Sequence, residues 1–268
     1  MEYRVLLASR SHEGFMSNSL KRRLAEGGRS IGSWASLGSP AIVEIMCAAG
    51  FEWVAVDLEH STTTLERTEE LIRVISLAGK TPLVRLGSND PVEIKRVMDA
   101  GAHGVIVPNV KSGDEVRAAS RAMHYPPRGE RGVGLARAQG YGTSFDGYRA
   151  WIAESALLVP QIESREAVDR IDEILAIPDV DAFLVGPYDL SASLGVTGQF
   201  SHPDYVRALT RVREAGDRHG KPAGIHVVEP DPAQLRQRVA EGFRLIAYSV
   251  DFRMIDAASR LGLRALED

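Results

Sequence analysis

Eight short apolar runs, each separated from the next by a helix-patterned stretch, constrain the fold of this chain more than any other feature. They occupy residues 31–35, 53–58, 83–86, 104–110, 157–162, 182–186, 223–228 and 245–250. Each is a near-continuous apolar string, as expected of parallel strands buried on both faces. Between them lie helical patterns. In residues 64–78, Leu71, Val74, Ile75 and Ala78 recur at steps of three and four, which predicts one buried helical face. Asp90-Pro91 and Asp231-Pro232 place a capping acid before a proline at the first helical position. Ser112-Gly113-Asp114-Glu115 has the form of a capping box, and Gly50, Gly79, Gly101 and Gly242 mark helix ends. Eight strands alternating with eight helices predict the α/β class and a (β/α)8 TIM barrel rather than an open doubly wound sheet.

The length of 268 residues agrees, being close to the roughly 250 typical of one such barrel. We therefore expect a single barrel domain over residues 30–268, preceded by a polar leader with a short helix at residues 18–26. The folded unit is expected to start near Met16, with the residues before it loose. A net charge of -4 offers no reason to expect nucleic acid or an anionic membrane as a partner. No run of 18 apolar residues or signal-peptide core is present, so a cytoplasmic enzyme is the expectation. The single cysteine, Cys47, lies in an apolar helical stretch and reads as packing. One connection breaks the rhythm: residues 126–142, rich in glycine and arginine, read as a lid or substrate-contacting loop, with a surface connector as the alternative.

A barrel gathers all strand C-termini on one face, so polar residues at those ends share a pocket. Here they are Asp57-Leu58-Glu59-His60, Arg85, Gln161-Ile162-Glu163-Ser164 and Gly186-Pro187-Tyr188-Asp189. Glu163 and Asp189 on successive strands suit a hard divalent ion such as Mg2+ or Mn2+ with positions left open for substrate. Arg85 suits a carboxylate or enolate oxygen, or an ion pair with Asp57 or Glu59. His60, with acids beside it, is the candidate general acid/base. His226 is a weaker pocket candidate. Lys111, just past strand four, keeps a Schiff-base mechanism open as an alternative. The loops after strands seven and eight lack a glycine-rich phosphate turn, and no GxGxxG follows a strand. Phosphorylated substrates and dinucleotide cofactors are therefore not expected.

From residue 31 to about residue 258 these motifs resemble the HpcH/HpaI family of class II pyruvate aldolases. The resemblance rests on Gly50-Phe51-Glu52-Trp53, Asp57-Leu58-Glu59-His60-Ser61, residues 89–95, residues 125–134, residues 161–167 and residues 186–193. It is strongest toward 4-hydroxy-2-oxoheptanedioate and 2-keto-3-deoxy-sugar-acid aldolases. The resemblance implies reversible retro-aldol cleavage of a 4-hydroxy-2-oxo acid to pyruvate and an aldehyde through a metal-stabilised enolate, in aromatic or sugar-acid catabolism. It implies a divalent ion (Mg2+, Mn2+ or Co2+) on Glu163 and Asp189, Arg85 at the enolate, Gln161 at the pyruvate site, and a His60–Asp57 dyad moving the hydroxyl proton. Tyr188 and Ser191 join Arg85 and Gln161 as substrate-binding candidates. It further implies a hexamer, a dimer of trimers, with the C-terminal helix exchanged between neighbours. Tyr188 and Lys111 depart from the residues frequent in the family at their positions. An acyl-CoA lyase on the same barrel is the remaining alternative, but no basic adenine-nucleotide groove is evident in the sequence.

Overall fold

The computed structural model describes residues 18–264 and residue 266. The leader expected before Met16 lies outside them. The strands are β1 (Ser30–Ala35), β2 (Trp53–Asp57), β3 (Thr81–Arg85), β4 (Gly104–Val107), β5 (Leu157–Ile162), β6 (Phe183–Val185), β7 (Ala223–Val227) and β8 (Leu245–Val250). They pair in parallel, in sequence order, and β8 closes on β1 to complete a barrel. Helices α1 (Ser19–Ala25), α2 (Pro40–Ala49), α3 (Leu65–Leu77), α4 (Pro91–Ala100) and α5 (Gly113–Met123) precede β5 along with an added α6 (Phe145–Ser155). After β5 the helix is broken into α7 (Arg165–Asp169) and α8 (Ile171–Leu175). Two helices follow β6, α9 (Pro187–Ser193) and α10 (Pro203–His219), and then come α11 (Pro232–Ala240) and α12 (Asp251–Arg264).

Period-2 alternation divides the apolar residues between two cores. Trp53, Ala55, Leu83, Ile106, Val159 and Leu184 fill the barrel interior. Val54, Val56, Val84, Val105 and Leu158 point outward and join the helices in the second core. The same alternation brings Asp57, Arg85 and Gln161 to the top of the interior, one step beyond Ala55, Leu83 and Val159 on the inward face.

Local signals hold where the chemistry is local. Asp90 accepts from the N–H groups of Val92 and Glu93, and Asp231 from Ala233, so both act as the expected caps. Ser112 caps α5 through the Glu115 N–H, but the Glu115 carboxylate reaches back to Lys111 N–H at 2.6 Å, so the box closes one residue early. In α3 the buried face is Thr68, Leu71, Ile72 and Ile75, whereas Ala78 is exposed. Cys47 is buried, as expected of packing.

One expectation changes. The segment 126–142 follows α5 and precedes β5, so it lies at the end of the barrel opposite the strand C-termini. Arg131 donates to Asp99 at 2.5 Å and stacks over Tyr125 at 4.7 Å, and Arg137 donates to the Ala100 carbonyl at 2.8 Å. These contacts fasten the loop to the C-terminal end of α4, and it is no lid for this chain's own pocket. The helix expected to be exchanged between neighbours is α12. It touches β8 and β1 at its start, and from Ala258 onward every described residue is exposed. Its apolar Ile255, Leu261 and Leu263 are 45%, 73% and 65% exposed.

Candidate active site

A cavity of about 270 Å³ opens at the strand C-termini. Asp57, His60, Arg85, Gln161, Tyr188 and Asp189 line it on one side, and His226 joins them from β7. Register builds its centre: Asp57 and Arg85 are paired positions on β2 and β3, so both side chains leave the same face and meet. Arg85 donates from Nε to Asp57 Oδ1 at 2.9 Å and from Nη2 to Oδ2 at 2.7 Å. Its Nη1 lies 3.3 Å from Glu59 Oε2, and its guanidinium stacks over Trp34 at 4.3 Å. Burial opposes ionisation of Asp57, but hydrogen bonds and charge from Arg85, with help from His60 N–H and Ser36, hold its carboxyl below the usual range.

The expected His60–Asp57 dyad takes a different form. Asp57 accepts the backbone N–H of His60 at 3.3 Å, while both its oxygens are engaged by Arg85. The imidazole turns outward, 59% exposed, with Nε2 3.7 Å from Glu59 Oε2. Of the two acids that the sequence sets beside His60, the one near the ring is therefore Glu59 and not Asp57. Burial, then the charges of Asp57 and Asp189, push Glu59 up to about 7 despite Arg85.

Glu163 is buried at the end of β5. Its Oε1 accepts the Asn109 N–H at 2.6 Å, and its Oε2 accepts from the Gln161 amide. Gly186 makes room for this pair, since a Cβ there would stand 2.6 Å from Glu163 Oε2. Asp189 sits in the first turn of α9, exposed to the cavity. Among the described residues no three His, Cys, Asp or Glu side chains converge into a complete metal cage. Glu163, Asp189 and Glu59 nevertheless put three acids within mutual influence with one arginine among them, and Gln161 Oε1 is buried with no partner. Two carboxylates with open positions and uncompensated negative charge fit a hard divalent cation.

Burial foremost, with the charges of Glu59 and Asp189, pushes the Glu163 carboxyl up to about 7 against the hydrogen bonds from Asn109 and Gln161. A carboxyl raised by folding costs stability as pH rises from its unfolded value through its folded one. Relative to the wild type, metal-free Glu163→Gln should therefore gain stability over that window, by on the order of 3 kcal/mol near pH 8. Melting temperatures of both proteins from about pH 5 to about pH 8 measure this; a difference that does not change with pH would disprove it.

Other candidates are sorted by the tertiary structure. Ser191 is fully buried, donating to the Tyr188 carbonyl at 2.7 Å and accepting from Gly198 N–H at 3.0 Å. It supports α9 and does not line the cavity. Tyr188 does line it, with its ring edge-on to Phe200. Lys111 is exposed and outside the cavity wall, which removes the geometric basis for a Schiff base. His226 is pushed down to about 3 by burial and by the charge of Arg85, and its ring stands edge-on to Trp34. Trp34 and Ser36 were missed in the sequence, although they sit at the end of the first strand, where the same strand-end rule would have found them.

Residues 30–257 match the HpcH/HpaI aldolase/citrate lyase family. The chain belongs to that family. It is 39% identical over 255 residues to a hydroxypyruvate/pyruvate aldolase of Paraburkholderia phytofirmans, covering 92% of this chain and 97% of the relative. It is 35% identical to a 5-keto-4-deoxy-D-glucarate aldolase of Shigella dysenteriae, covering 91% and 94%. The crystal structure of an HpcH/HpaI aldolase/citrate lyase family protein from Burkholderia cenocepacia superposes with a TM-score of 0.89 at 35% identity, covering 94% of this chain and 100% of the other. This member of the HpcH/HpaI family is a carbon–carbon lyase of the aldolase class. No described helix is long and apolar enough to cross a membrane.

Proposed function

We propose that this chain catalyses reversible retro-aldol cleavage of a 4-hydroxy-2-oxo acid to pyruvate and an aldehyde. The observation that carries the reading is Arg85, clamped by Asp57 in the cavity that also holds Asp189, with Glu163 buried behind the Gln161 and Gly186 that line it. Glu163 and Asp189 would hold a divalent ion, Mg2+, Mn2+ or Co2+. When bound, such an ion supplies Lewis acidity toward a 2-oxo acid.

The protein's own groups account for the rest. Asp57 occupies Nε–H and one Nη2–H of Arg85, and Glu59 Oε2 stands 3.3 Å from Nη1, which leaves the second Nη2–H and one Nη1–H for a ligand. That remaining edge can donate two hydrogen bonds to the developing enolate oxygen. Gln161, fixed by its bond to Glu163, lines the pyruvate side. In the cleavage direction His60, or a water it positions, takes the proton from the C4 hydroxyl. The C3–C4 bond then breaks, its electron pair forms the enolate, and the C4 oxygen becomes the aldehyde carbonyl. Protonation of the enolate at C3 yields pyruvate.

The test is proton exchange at the methyl group of pyruvate in deuterated water, which passes through the same enolate. Exchange is expected in the wild type. Arg85→Lys keeps the charge but loses the planar fork, and it should slow both exchange and cleavage by roughly 10- to 1000-fold. Wild-type exchange in that variant would assign Arg85 a structural role only.

The exposed apolar residues of α12 support assembly into a homo-oligomer, in the proposed form a hexamer with this helix docked on a neighbour. A monomer by sedimentation velocity would contradict it.

A further inference from the structure

The chemistry above uses the side of the cavity built by β2 to β6 and leaves the opposite wall unassigned. That wall is mostly apolar: Trp34, Val228, Val250 and Phe252 form most of it, with Ser36 and His226 among them and Arg253 at its rim. An arginine at the mouth of a pocket ordinarily draws in anions. Here its charge is already matched. Arg253 donates from Nη2 to Glu229 at 2.6 Å, just past β7, and from Nη1 to Asp256 at 2.8 Å, one helical turn along α12. Asp256 in turn accepts from Arg260 at 2.8 Å, so the rim carries four alternating charges with no net positive charge. The start of α12 offers no second anion site, because the Asp251 carboxylate takes the N–H groups of Ser36, Leu37 and Phe252.

We infer that the apolar wall and the Glu229–Arg253–Asp256 rim make the aldehyde subsite selective for neutral aldehydes, and against those bearing a carboxylate or phosphate. The wall rises from β7, β8 and β1, which in the closed strand order stand across the barrel from β3, β4 and β5 and so from Arg85 and Gln161, and this places it against the part of the substrate beyond the new C–C bond. A carboxylate arriving there would have to displace Glu229 or Asp256 from Arg253 and would meet their charge. A neutral alkyl or hydroxyalkyl end meets Val228, Val250 and Phe252 with no such cost. This inference rests on the retro-aldol reading and adds to it the class of aldehyde.

The experiment compares butanal with 4-oxobutanoate, which shares its chain but ends in a carboxylate, as acceptors for pyruvate at low salt. The wild type should favour butanal by about tenfold or more in kcat/KM. Glu229→Gln frees one side of Arg253 and should lower that preference by roughly fivefold, the worth of one unit charge about 4 Å away in water. Adding Arg253→Met to Glu229→Gln should cancel the shift, which marks Arg253 as the group responsible. A wild-type preference for 4-oxobutanoate would overturn the inference, as would a Glu229→Gln ratio equal to that of the wild type. Methyl exchange of pyruvate, measured alongside, keeps the two levels apart. Its absence in the wild type would defeat the retro-aldol reading itself, whereas exchange without turnover of either aldehyde would defeat the aldehyde subsite alone.

Discussion

Protein stripped of divalent metal should show no measurable aldol cleavage, and Mg2+, Mn2+ or Co2+ should restore it. The expectation follows from the charge balance of the cavity. Glu163, Glu59 and Asp189 influence one another with one arginine between them, and Glu163 and Glu59 are both pushed up to about 7. A site that destabilises its own carboxylates in this way gains most from a cation. Two carboxylates also leave coordination positions open for a 2-oxo acid. Calorimetry gives a readout independent of turnover: Mn2+ should bind the stripped wild type and bind Glu163→Gln far more weakly. Undiminished cleavage after thorough chelation would sink the proposal.

The second large effect is expected from His60→Ala, which should lower aldol cleavage by roughly 100- to 10000-fold, the usual worth of a positioned acid or base. The geometry makes this a clean test. Asp57 is bonded to the backbone N–H of His60 and not to its ring, so removing the imidazole leaves the Asp57–Arg85 pair intact. Enolate chemistry should therefore survive. Decarboxylation of oxaloacetate also yields the pyruvate enolate, but it deprotonates no C4 hydroxyl, so it should fall much less than cleavage does. Equal losses in the two reactions would show that His60 supports the site as a whole, and its assignment to proton transfer would be withdrawn.

Much of this molecule was legible in the chain because the relevant physics is local. Strands buried on both faces must be apolar throughout, so all eight were found, with ends shifted by up to three residues. Proline after aspartate announced α4 and α11, since the cap and the first turn are adjacent in sequence. Closure of the barrel then carries polar strand ends to one mouth, which is why Asp57, Arg85, Gln161 and Asp189 share a cavity although Asp57 and Asp189 are far apart in the chain.

Partner choice was not legible. Asp57 and Glu59 both lie near Arg85, and sequence spacing cannot rank them; the β2–β3 register decides, setting Asp57 opposite Arg85 for two hydrogen bonds and leaving Glu59 between Arg85 Nη1 and the His60 ring. Ser191 shares a motif with Asp189, yet two positions along a helix turn its hydroxyl into the body of the protein. The glycine- and arginine-rich loop has the composition of a lid, but a segment joining a helix to the next strand lies at the opposite end of a barrel from the strand C-termini. The exchange of the C-terminal helix was an expectation from the family resemblance and not from any local pattern, and the packed structure shows the distal half of α12 standing clear of its own barrel. Sequence by itself determined which residues reach the mouth, because strand period and strand end are local properties. Tertiary structure alone decided which of them touch, because contacts across a sheet depend on register and closure, which involve residues far apart in the chain.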